Sequence, residues 1–589
     1  MAIRFGEWTI GLTGEGAPGR ELIGGKAWSV ARMQALGLNV PPAFVVTTRA
    51  CAAFLEKGAP PPGLEHEIAA GVAWLERATH RRFGSGPRPL LVSVRSGAPV
   101  SMPGMMDTVL NLGINDETEI ALAEECGNAA FARNTRRRFL DLYAQIVLKA
   151  HMAPFDERGD PGSLRAAIAA VAGSEAPQDP RKQLRGAVRA VFESWNSRRA
   201  RRYRQHNKIP DDLGTAVTIQ AMVFGNMDER SGTGVLFSRN PLTGEHEPYG
   251  EYLPRAQGED VVSGKFTPEP LSALGREMPE AHAALLAAAR VLEREGRDVQ
   301  DIEFTIERGR LYFLQSRAAK LAPHAAARIA VDLAREGLID EDTALRRLSS
   351  GQVRTLLAPH IADAALSEAV ALASGEGASP GVGIGVVVAA SEEAERRAHD
   401  GEAVILARPT TSPDDLHGMI AARAVVTEQG GATSHAAVVG RALGKPCVVG
   451  CGKGSLDNLA GRLVTVDGGA GKVYEGKIAV EAANEADHEA LSTLAAWAAS
   501  RSPLRVAAPT APEAAEAFDL SDNAAAADPA SIAEVLKELR GARGARGGAI
   551  ASDEGVRAAL AAGLEFIVAD PILPPLLAAV RSGSPGQRS

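Results

Sequence analysis

The sequence predicts an α/β protein of several domains. Its 589 residues are 45% hydrophobic, which is enough apolar material for several buried cores, and chains of this length divide into about three or four domains. Short apolar runs at 381–389, 403–410 and 445–450 are typical of buried strands and alternate with glycines and helical patterns. Amphipathic stretches at 131–149 and 279–295 predict helices that pack on strands.

Composition excludes several classes of protein. The net charge of −8 and the pI of about 5.9 argue against nucleic acid as the main partner, and the arginine-rich segment 197–204 is interpreted as a solvated helix face near an anionic nucleotide. The cysteines show no disulfide framework, and the spacing of Cys447 and Cys451 is a poor match to a zinc site. Residues 1–10 lack the apolar core of a signal peptide, and no run approaches the ~20 apolar residues of a membrane span. We therefore expect a cytoplasmic protein with no membrane partner.

The first candidate site is the sequence LIGGK at residues 22–26, which places a glycine pair and Lys26 ahead of a helical pattern that ends at Gly37. Backbone N–H groups beside glycines and an ammonium at a helix start both suit phosphates. The motif lacks the Walker spacing, so an ordinary turn is the alternative.

A second candidate follows in the apolar run that begins at Leu90. This run predicts a buried strand that presents Arg95 near its end, where a guanidinium can bind a phosphate bidentately. The next residues predict a loop that contains Gly104 and Asp107, with Met105 and Met106 interpreted as packing in the core.

The third candidate is a predicted two-stranded hairpin at residues 301–317. Its period-two pattern places Asp301 and Glu303 on one face, with Gln315 and Arg317 together on the paired strand. Two adjacent carboxylates are unfavourable without a cation, so the predicted partner is a divalent metal that bridges nucleotide phosphates. A solvated polar face on an edge hairpin is the alternative.

The segment GGATSHAAVV at residues 430–439 holds one imidazole, His435, in a glycine-opened turn before a predicted helix start. The two glycines permit unusual backbone angles and leave room for a nucleotide phosphate. Thr433 or Ser434 is placed to cap the helix. Because a neutral imidazole is a competent nucleophile near physiological pH, the segment predicts a phosphoryl-carrying histidine, with a hydrogen-bonded loop histidine as the alternative.

Taken in order, these segments resemble the pyruvate, phosphate dikinase family of PEP-utilising enzymes. The matching blocks lie between Gly24 and Gly476 and include LLVSVRSGAPVSMPGMMDTVLNLG, SGTGVLFSRNPLTGEHEPYGEYLPRAQGEDVVSG, QDIEFTIERGRLYFLQSR and GGATSHAAVVGRALGKPCVVGC. The resemblance implies an ATP-grasp nucleotide-binding domain at 1–320, a helical linker at 321–371 and a swivelling phosphohistidine β/α domain at 372–476.

The resemblance also implies roles for the candidate residues, with ATP as a substrate and Mg²⁺ as a cofactor. The side chains that would hold ATP and magnesium are Lys26, Arg95, Asp301, Glu303, Gln315 and Arg317, with Asp301 and Glu303 as metal ligands. His435 would accept the β-phosphoryl group, AMP would leave, and inorganic phosphate would take the terminal phosphoryl group to give pyrophosphate. Arg239 and Arg255 would line a phosphate site, and Thr433 matches a threonine that is phosphorylated for regulation in plant members.

Residues 477–589 depart from the family. The PEP- and pyruvate-binding (β/α)₈ barrel of the family needs about 250 residues, whereas 589 − 476 = 113 residues follow Gly476. Segments 494–518 and 555–580 resemble the two ends of that barrel, and the alanine-rich stretch between them leaves partial disorder as an alternative. No cysteine follows Cys451. We therefore expect a short remnant of the barrel and no pyruvate half-reaction in this polypeptide.

Two functions of different classes are consistent with the sequence. The first is a dikinase-like transferase that phosphorylates His435 from ATP and passes the group to an acceptor supplied elsewhere, including a separate acceptor protein or barrel in trans. The second is a non-catalytic, ATP-binding or regulatory relic of a dikinase. A rifampicin-phosphorylating dikinase is a narrower third alternative, but the short linker after Arg317 leaves no room for its acceptor-binding domain.

Overall fold

The computed structural model describes residues 3–583 except 101, 103, 104, 151–159, 263–265, 358, 359, 367, 368, 482–484, 486, 487, 522, 528, 530 and 540. Within the described residues, four sheets have four or more strands, and they contain six, five, eight and four strands in chain order. Helices cover these sheets, which confirms the α/β class.

The chain begins with an antiparallel sheet and the helices that cover it. The strands are β1 (Ile3–Arg4), β2 (Thr9–Leu12), β3 (Ala43–Val46), β4 (Arg82–Phe83), β5 (Pro89–Leu90), β6 (Val92–Gly97), β7 (Thr108–Leu112) and β8 (Ala216–Ala221). The helices are α1 (Arg20–Ala35), α2 (Thr48–Lys57), α3 (Leu64–Thr79), α4 (Asp116–Cys126), α5 (Ala129–Ile146), α6 (Pro161–Ala172), α7 (Pro180–Ser194) and α8 (Arg198–His206). The strand order is β1-β2-β3-β8-β6-β7, and β4 pairs separately with β5.

Helix α1 breaks at Gly24, where φ is +73°. A Cβ at this position would overlap the carbonyl oxygen of Gly97 at the end of β6, so only glycine lets the two backbones approach this closely. The next amide, Gly25 N, donates to the oxygen of Ala98 at 2.9 Å. The predicted phosphate cradle is therefore wrong for this amide, because the glycine pair joins α1 to β6 and thereby places Lys26 beside that strand.

A second sheet contains the predicted hairpin. Its strands are β9 (Gly232–Phe237), β10 (Tyr249–Pro254), β11 (Glu269–Pro270), β12 (Gln300–Glu307) and β13 (Arg310–Ala318), and its helices are α9 (Gly258–Val262), α10 (Leu271–Glu277) and α11 (Pro279–Gly296). The order is β11-β10-β9-β12-β13. The hairpin turns through Arg308 and Gly309, both at positive φ. The predicted hairpin and the predicted helices at 131–149 and 279–295 are confirmed.

The linker is helical, as predicted. It contains α12 (Pro323–Arg335), α13 (Glu341–Arg347) and α14 (Ser350–Leu356), followed by β14 (His360–Ile361) and α15 (Asp363–Leu366). The apolar face of α12 packs beside the second sheet, where Ile329 and Leu333 bury against Val299. This packing fixes the linker to the part of the chain that contains the second sheet.

The third sheet carries the phosphohistidine candidate. Its elements are β15 (Ala371–Ser374), β16 (Glu376–Ser379), β17 (Val382–Val388), α16 (Ser391–His399), β18 (Val404–Arg408), α17 (Leu416–Ala421), β19 (Ala424–Thr427), α18 (His435–Leu443), β20 (Cys447–Val449), β21 (Leu463–Asp467) and β22 (Lys472–Glu475). The order is β15-β22-β21-β17-β18-β19-β20-β16, with β17 to β20 parallel. The predicted strands at 381–389, 403–410 and 445–450 are confirmed as β17, β18 and β20.

The remaining residues form a small parallel sheet with helices. Its elements are β23 (Val480–Glu481), α19 (Glu489–Arg501), β24 (Arg505–Ala507), β25 (Phe518–Asp519), α20 (Ile532–Glu538), β26 (Gly544–Arg546), α21 (Asp553–Ala561), β27 (Phe566–Val568) and α22 (Leu573–Gly583). β23 pairs with β14, and the four strands that follow are ordered β24-β27-β26-β25. Leu491 and Leu577 of α19 and α22 pack on Leu345 of the linker. The expected mixture of helices and a few strands is confirmed.

Candidate functional site

One face of the second sheet carries two rows of side chains that cross β13, β12, β9 and β10. The register partners are Arg317–Asp301–Phe237–Tyr249 in one row and Gln315–Glu303–Val235–Glu251 in the other. Because residues two apart on a strand share a face, both rows lie on the same side. The predicted pairing of the two carboxylates with Gln315 and Arg317 is confirmed. The hairpin does lie at the edge of the sheet, because β13 is its outermost strand, but Asp301 is only 5% exposed and Gln315 only 6%, so the solvated face of the alternative interpretation is wrong.

Two arginines bind the two carboxylates of these rows. Arg317 Nε donates to Asp301 Oδ2 at 2.8 Å, and Arg95 Nη2 donates to Glu303 Oε2 at 2.8 Å. The charge of Asp301 raises the pKa of Arg317. Burial opposes ionisation of Glu303, yet Arg95, Arg317 and Lys26 together hold its pKa below the usual value. The site is therefore a charged cluster that is rich in cations before any nucleotide enters.

Lys26 completes this cluster from α1. Loss of solvent and the charges of Arg95 and Arg317 lower its pKa to about 7, although the charge of Glu303 acts in the opposite direction. Near neutral pH this amine is therefore balanced between its charged and neutral forms. An incoming polyphosphate would favour the charged form, so nucleotide binding and protonation are coupled.

This coupling predicts proton uptake when ATP binds. At about pH 8, roughly one unit above the pKa of about 7, the free protein holds Lys26 mostly neutral, and binding should take up nearly one proton. Near pH 6 the amine is already charged and the uptake should fall towards zero. Calorimetry in buffers of different ionisation enthalpy measures the number of protons taken up. The Lys26→Met variant measures the protons that the nucleotide itself exchanges on binding. Equal uptake by the variant and the unaltered protein would contradict the prediction.

The cluster also offers oxygen ligands that fit a magnesium ion. Each carboxylate uses one oxygen on its arginine, which leaves Oδ1 of Asp301 and Oε1 of Glu303 available. Gln315 Oε1 is buried and has no hydrogen-bond partner. Carboxylate and amide oxygens are the ligands that Mg²⁺ takes in proteins, so the donor set agrees with the predicted metal.

His435 is the first residue of α18 and is half-buried. Its Nδ1 lies 3.2 Å from Thr411 Oγ1, while Nε2 is buried without a partner. Burial lowers the pKa of the imidazole to about 4, against the raising effect of Asp415 and Asp414. The ring is therefore neutral at physiological pH, and a proton on Nδ1 that is donated to Thr411 leaves the Nε2 lone pair free to react.

The predicted cap of α18 is wrong. Ser434 occupies the N-cap position, but its hydroxyl makes no capping bond and has no partner. Thr433 Oγ1 instead donates to Glu251 Oε2, at the end of the second row on the second sheet. Thr433 is 3% exposed here, so any enzyme that modifies it would need this loop to leave the sheet.

The loop in front of α18 therefore docks on the second sheet. Besides the bond from Thr433 to Glu251, Ala432 N donates to Glu376 Oε2 at 3.1 Å, and Tyr249 donates to Glu376 Oε1 at 2.5 Å. Burial is the main cause that raises the pKa of Glu251. The bonds from Thr433 and Tyr249 cross between the third-sheet domain and the face that carries Asp301, and the bond from Ala432 holds Glu376 within the third-sheet domain.

The glycine of this loop has a different role from the predicted one. A Cβ on Gly431 would overlap Oε1 of Glu251, so the space that we assigned to a nucleotide phosphate holds a carboxylate of the second sheet. Gly430 does adopt a positive φ of 105°, in agreement with the predicted need for an unusual backbone angle. Close approach between two domains therefore explains Gly431 in this arrangement.

An apolar contact supports the same docking. Met102, Met105 and Trp195 of the nucleotide-binding half bury in one cluster with Leu416 and Met419 of α17. Because Met105 is fully buried, its interpretation as a core residue is confirmed. The cluster places the loop between β6 and β7 and the end of α7 against α17.

The arginine-rich helix α8 is only partly a solvated face. Arg201 and Arg198 are exposed, but Arg204 is 1% exposed and donates to the carbonyl oxygen of Trp195 at 2.5 Å. Its guanidinium also stacks over the Trp195 ring at 4.2 Å. The interpretation as a solvated helix face is therefore wrong for Arg204.

Neither additional phosphate-site arginine joins the cluster. Arg239 is fully buried, and its guanidinium bonds Glu293 and Glu336, so a phosphate would have to displace a carboxylate. Arg255 is exposed, pairs with Glu229, and follows β10 six residues beyond the row of Tyr249, about 20 Å along the strand. These contacts assign Arg239 a structural role and remove both arginines from the site.

Sequence reasoning missed four side chains that the structure brings to the site. They are Tyr249 and Glu251 on β10, Thr411 beside His435, and Arg441 of α18, whose guanidinium donates to the oxygen of Ala432 and lies near the Phe237 ring. Period-two alternation in YGEYLP could have placed Tyr249 and Glu251 on one face of a strand. No local pattern could have shown that this face meets a loop that begins 179 residues further along (430 − 251 = 179).

Two family models match the chain. One, described as the AMP/ATP-binding domain of pyruvate phosphate dikinase, matches residues 20–78 and 60–283, and the other, the mobile domain of PEP-utilising enzymes, matches 400–471. Pyruvate, phosphate dikinase of Clostridium symbiosum is 43% identical over 514 residues, which cover 81% of this chain and 59% of that protein. The chain belongs to the pyruvate, phosphate dikinase family.

Other members of the dikinase family give the same result. The enzyme of Rhizobium meliloti (strain 1021) and pyruvate, phosphate dikinase 2 of Zea mays are each 44% identical, covering 78% and 76% of this chain. The chain spans 53–59% of the length of these three relatives.

The two matched regions contain residues from both sides of the docked site. The AMP/ATP-binding match includes Lys26 and Arg95, and the mobile-domain match includes Thr411 and His435. Glu376, which joins the docked loop to Tyr249, lies outside both matches. Within the described part of the chain, no helix is both long enough and apolar enough to cross a membrane.

Proposed function

We propose that this chain is a dikinase-like transferase that moves the β-phosphoryl group of ATP to His435. The observation that carries the proposal is the docked loop, in which Thr433 binds Glu251 two residues before His435. Glu251 shares a row with Glu303, and Glu303 binds Arg95 in the cation cluster. A histidine presented to a phosphate-binding surface in this way suits direct transfer between bound nucleotide and imidazole.

The imidazole supplies the nucleophile without a separate base. Because burial keeps His435 neutral, Nε2 can attack the β-phosphorus directly, while Thr411 holds Nδ1. The Nε2–P bond forms as the bond from the β-phosphorus to the oxygen of AMP breaks. Inorganic phosphate then takes the terminal phosphoryl group, which yields pyrophosphate and leaves one phosphoryl group on Nε2.

The remaining residues bind and neutralise the phosphates. Lys26, Arg95 and Arg317 present three cationic groups on one cluster, and positioning with charge neutralisation is most of what phosphoryl transfer requires. Oxygens of Asp301, Glu303 and Gln315 would hold magnesium, which when bound neutralises charge on the phosphates.

We also propose that residues 477–589 do not carry the pyruvate half-reaction. The first strand of their sheet, β24, lies beside the last, β27, as the two ends of a closed barrel would if the middle were missing. This sheet has four strands, fewer than the eight of a (β/α)₈ barrel, and residues 477–589 contain no cysteine. We propose the cytoplasm as the location.

The test is transfer of radioactive label from ATP. The unaltered chain, with magnesium and inorganic phosphate, should acquire acid-labile label from ATP that is labelled at the β-phosphate, and His435→Ala should acquire none because the nucleophile is lost. Pyruvate should leave the label in place, whereas AMP with pyrophosphate should remove it. Absence of label on a chain that still binds ATP would overturn the proposal and favour the non-catalytic alternative.

A further inference from the structure

Arg441 lies on α18, the helix that begins at His435. Its Nη2 donates to the oxygen of Ala432 at 2.8 Å, and its Nη1 donates to the oxygen of Ala378 at 2.9 Å. The side chain is 4% exposed. The guanidinium therefore ties the loop in front of His435 to the neighbouring strand β16, and both bonds lie within the third-sheet domain.

The same guanidinium also reaches the nucleotide-binding half. Its Cζ lies 5.9 Å from the centre of the Phe237 ring on β9. Phe237 is the register partner of Asp301 on one side and of Tyr249 on the other. An aromatic face attracts a cation within about 6 Å, and the attraction is stronger when water is excluded.

The electrostatic setting supports a role at this interface. Burial lowers the pKa of Arg441, and Cys447 of its own domain acts against that change together with Asp301, Tyr249 and Glu251 of the nucleotide-binding half. The Nε of Arg441 is buried without a hydrogen-bond partner. Acidic and polar groups of the nucleotide-binding half therefore lie near this buried guanidinium in the docked arrangement.

We infer that Arg441 is a positioning residue for transfer from ATP, acting through its contact with Phe237 to hold the His435 loop against the nucleotide-binding sheet. This inference rests on the proposed function. The bonds to Ala378 and Ala432 lie within the third-sheet domain, whereas the contact with Phe237 crosses to the nucleotide-binding sheet. The contact therefore selects the geometry in which His435 faces the nucleotide.

A double-mutant cycle separates this role from a structural one. Arg441→Lys removes the planar fork but keeps a charge, and Phe237→Leu removes the aromatic face but keeps apolar volume. Each variant should slow the labelling of His435 from ATP by about tenfold. If the two side chains act through one contact, the double variant should be no slower than the slower single variant.

Hydrogen exchange gives a second measurement on the same proteins. Backbone amides of the 430–434 loop should exchange faster in each single variant, without a further increase in the double variant. Thermal unfolding and ATP binding check that every variant is folded. Arg462→Lys, in an exposed pair with Glu475, is the matched control and should change neither measurement.

The outcomes distinguish the two proposals. The role of Arg441 is supported if the unaltered chain is labelled and the double variant is labelled no more slowly than the slower single variant. If the unaltered chain is labelled but the rate reductions of the two single variants multiply in the double variant, or neither single variant is slower, this role is overturned and the proposed function stands. An unaltered chain that takes no label overturns the proposed function and the role of Arg441 together.

Discussion

Arg95→Ala is expected to slow labelling of His435 by about a thousandfold, the size of effect that a phosphate-binding arginine has in phosphoryl transfer. Arg95 is one of three cations in the cluster, and it is the group that binds Glu303 at 2.8 Å. Its removal takes away a phosphate ligand and leaves Glu303 without its hydrogen-bonded partner. The pKa of Glu303 should rise, which would weaken any magnesium ion that this carboxylate holds.

The control for this prediction comes from the same stretch of chain. Arg88 is exposed and pairs loosely with Glu125 at 3.6 Å, so Arg88→Ala should label at nearly the rate of the unaltered protein. Arg95→Lys should recover part of the rate, because it keeps the charge but loses the bidentate fork. Labelling rates at saturating ATP, together with ATP affinity, measure all three variants. A change of less than tenfold in Arg95→Ala would remove this residue from the site.

Gly24→Ala is expected to disrupt the nucleotide site as a whole. The added Cβ would overlap the backbone oxygen of Gly97, and alanine also disfavours the φ of +73° at this position. A backbone atom cannot rotate away as a side chain can, so α1 and β6 must separate, at a cost of about 3 kcal/mol from overpacking and strain. Separation moves Lys26 on α1 away from Arg95 on β6, and ATP affinity should fall by about a hundredfold or more.

The neighbouring glycine provides a matched control. A Cβ on Gly25 would approach the end of the flexible Arg20 side chain at 3.1 Å and the backbone oxygen of Ala98 at 3.4 Å, an ordinary contact distance, and the backbone of Gly25 is not in the positive-φ region. Gly25→Ala should therefore leave the thermal midpoint and ATP affinity close to those of the unaltered protein. Thermal unfolding and equilibrium ATP binding compare Gly24→Ala with Gly25→Ala. Equal thermal midpoints and equal ATP affinities in the two variants would show that ATP binding does not require the close approach of α1 to β6.

The local sequence pattern predicted the structure correctly where residue types alternate over a few positions along a strand. Alternation along 301–317 predicts a hairpin with Asp301 and Glu303 facing Gln315 and Arg317, and the register confirms it. The reason is that strand geometry fixes both which side chains share a face and which residues pair. The same argument explains why buried runs such as β17 and β18 were recognised from apolar residues alone.

The local sequence pattern gave a wrong prediction where a residue contacts a segment that is distant in the chain. The glycine pair at Gly24 was interpreted as a backbone cradle for phosphate and Gly431 as space for a phosphate, yet Gly24 lies against a strand carbonyl and Gly431 lies against Glu251. Arg239 was interpreted as a phosphate ligand, yet it is paired with two carboxylates. In each case the sequence showed that the residue had a special role but not which group it contacts, because that group lies far away in the chain.

The sequence by itself determined the α/β class, the main strands and helices, the family, and the candidate nucleotide and histidine residues. These depend on periodicity and residue chemistry, which are local properties. Only the tertiary structure decided that Lys26 meets Arg95 across a backbone contact, and that Thr433 and Arg441 bring the His435 loop to the face of Asp301. Contacts of this kind are set by how separately folded units pack, and a single sequence does not encode that packing in any local pattern.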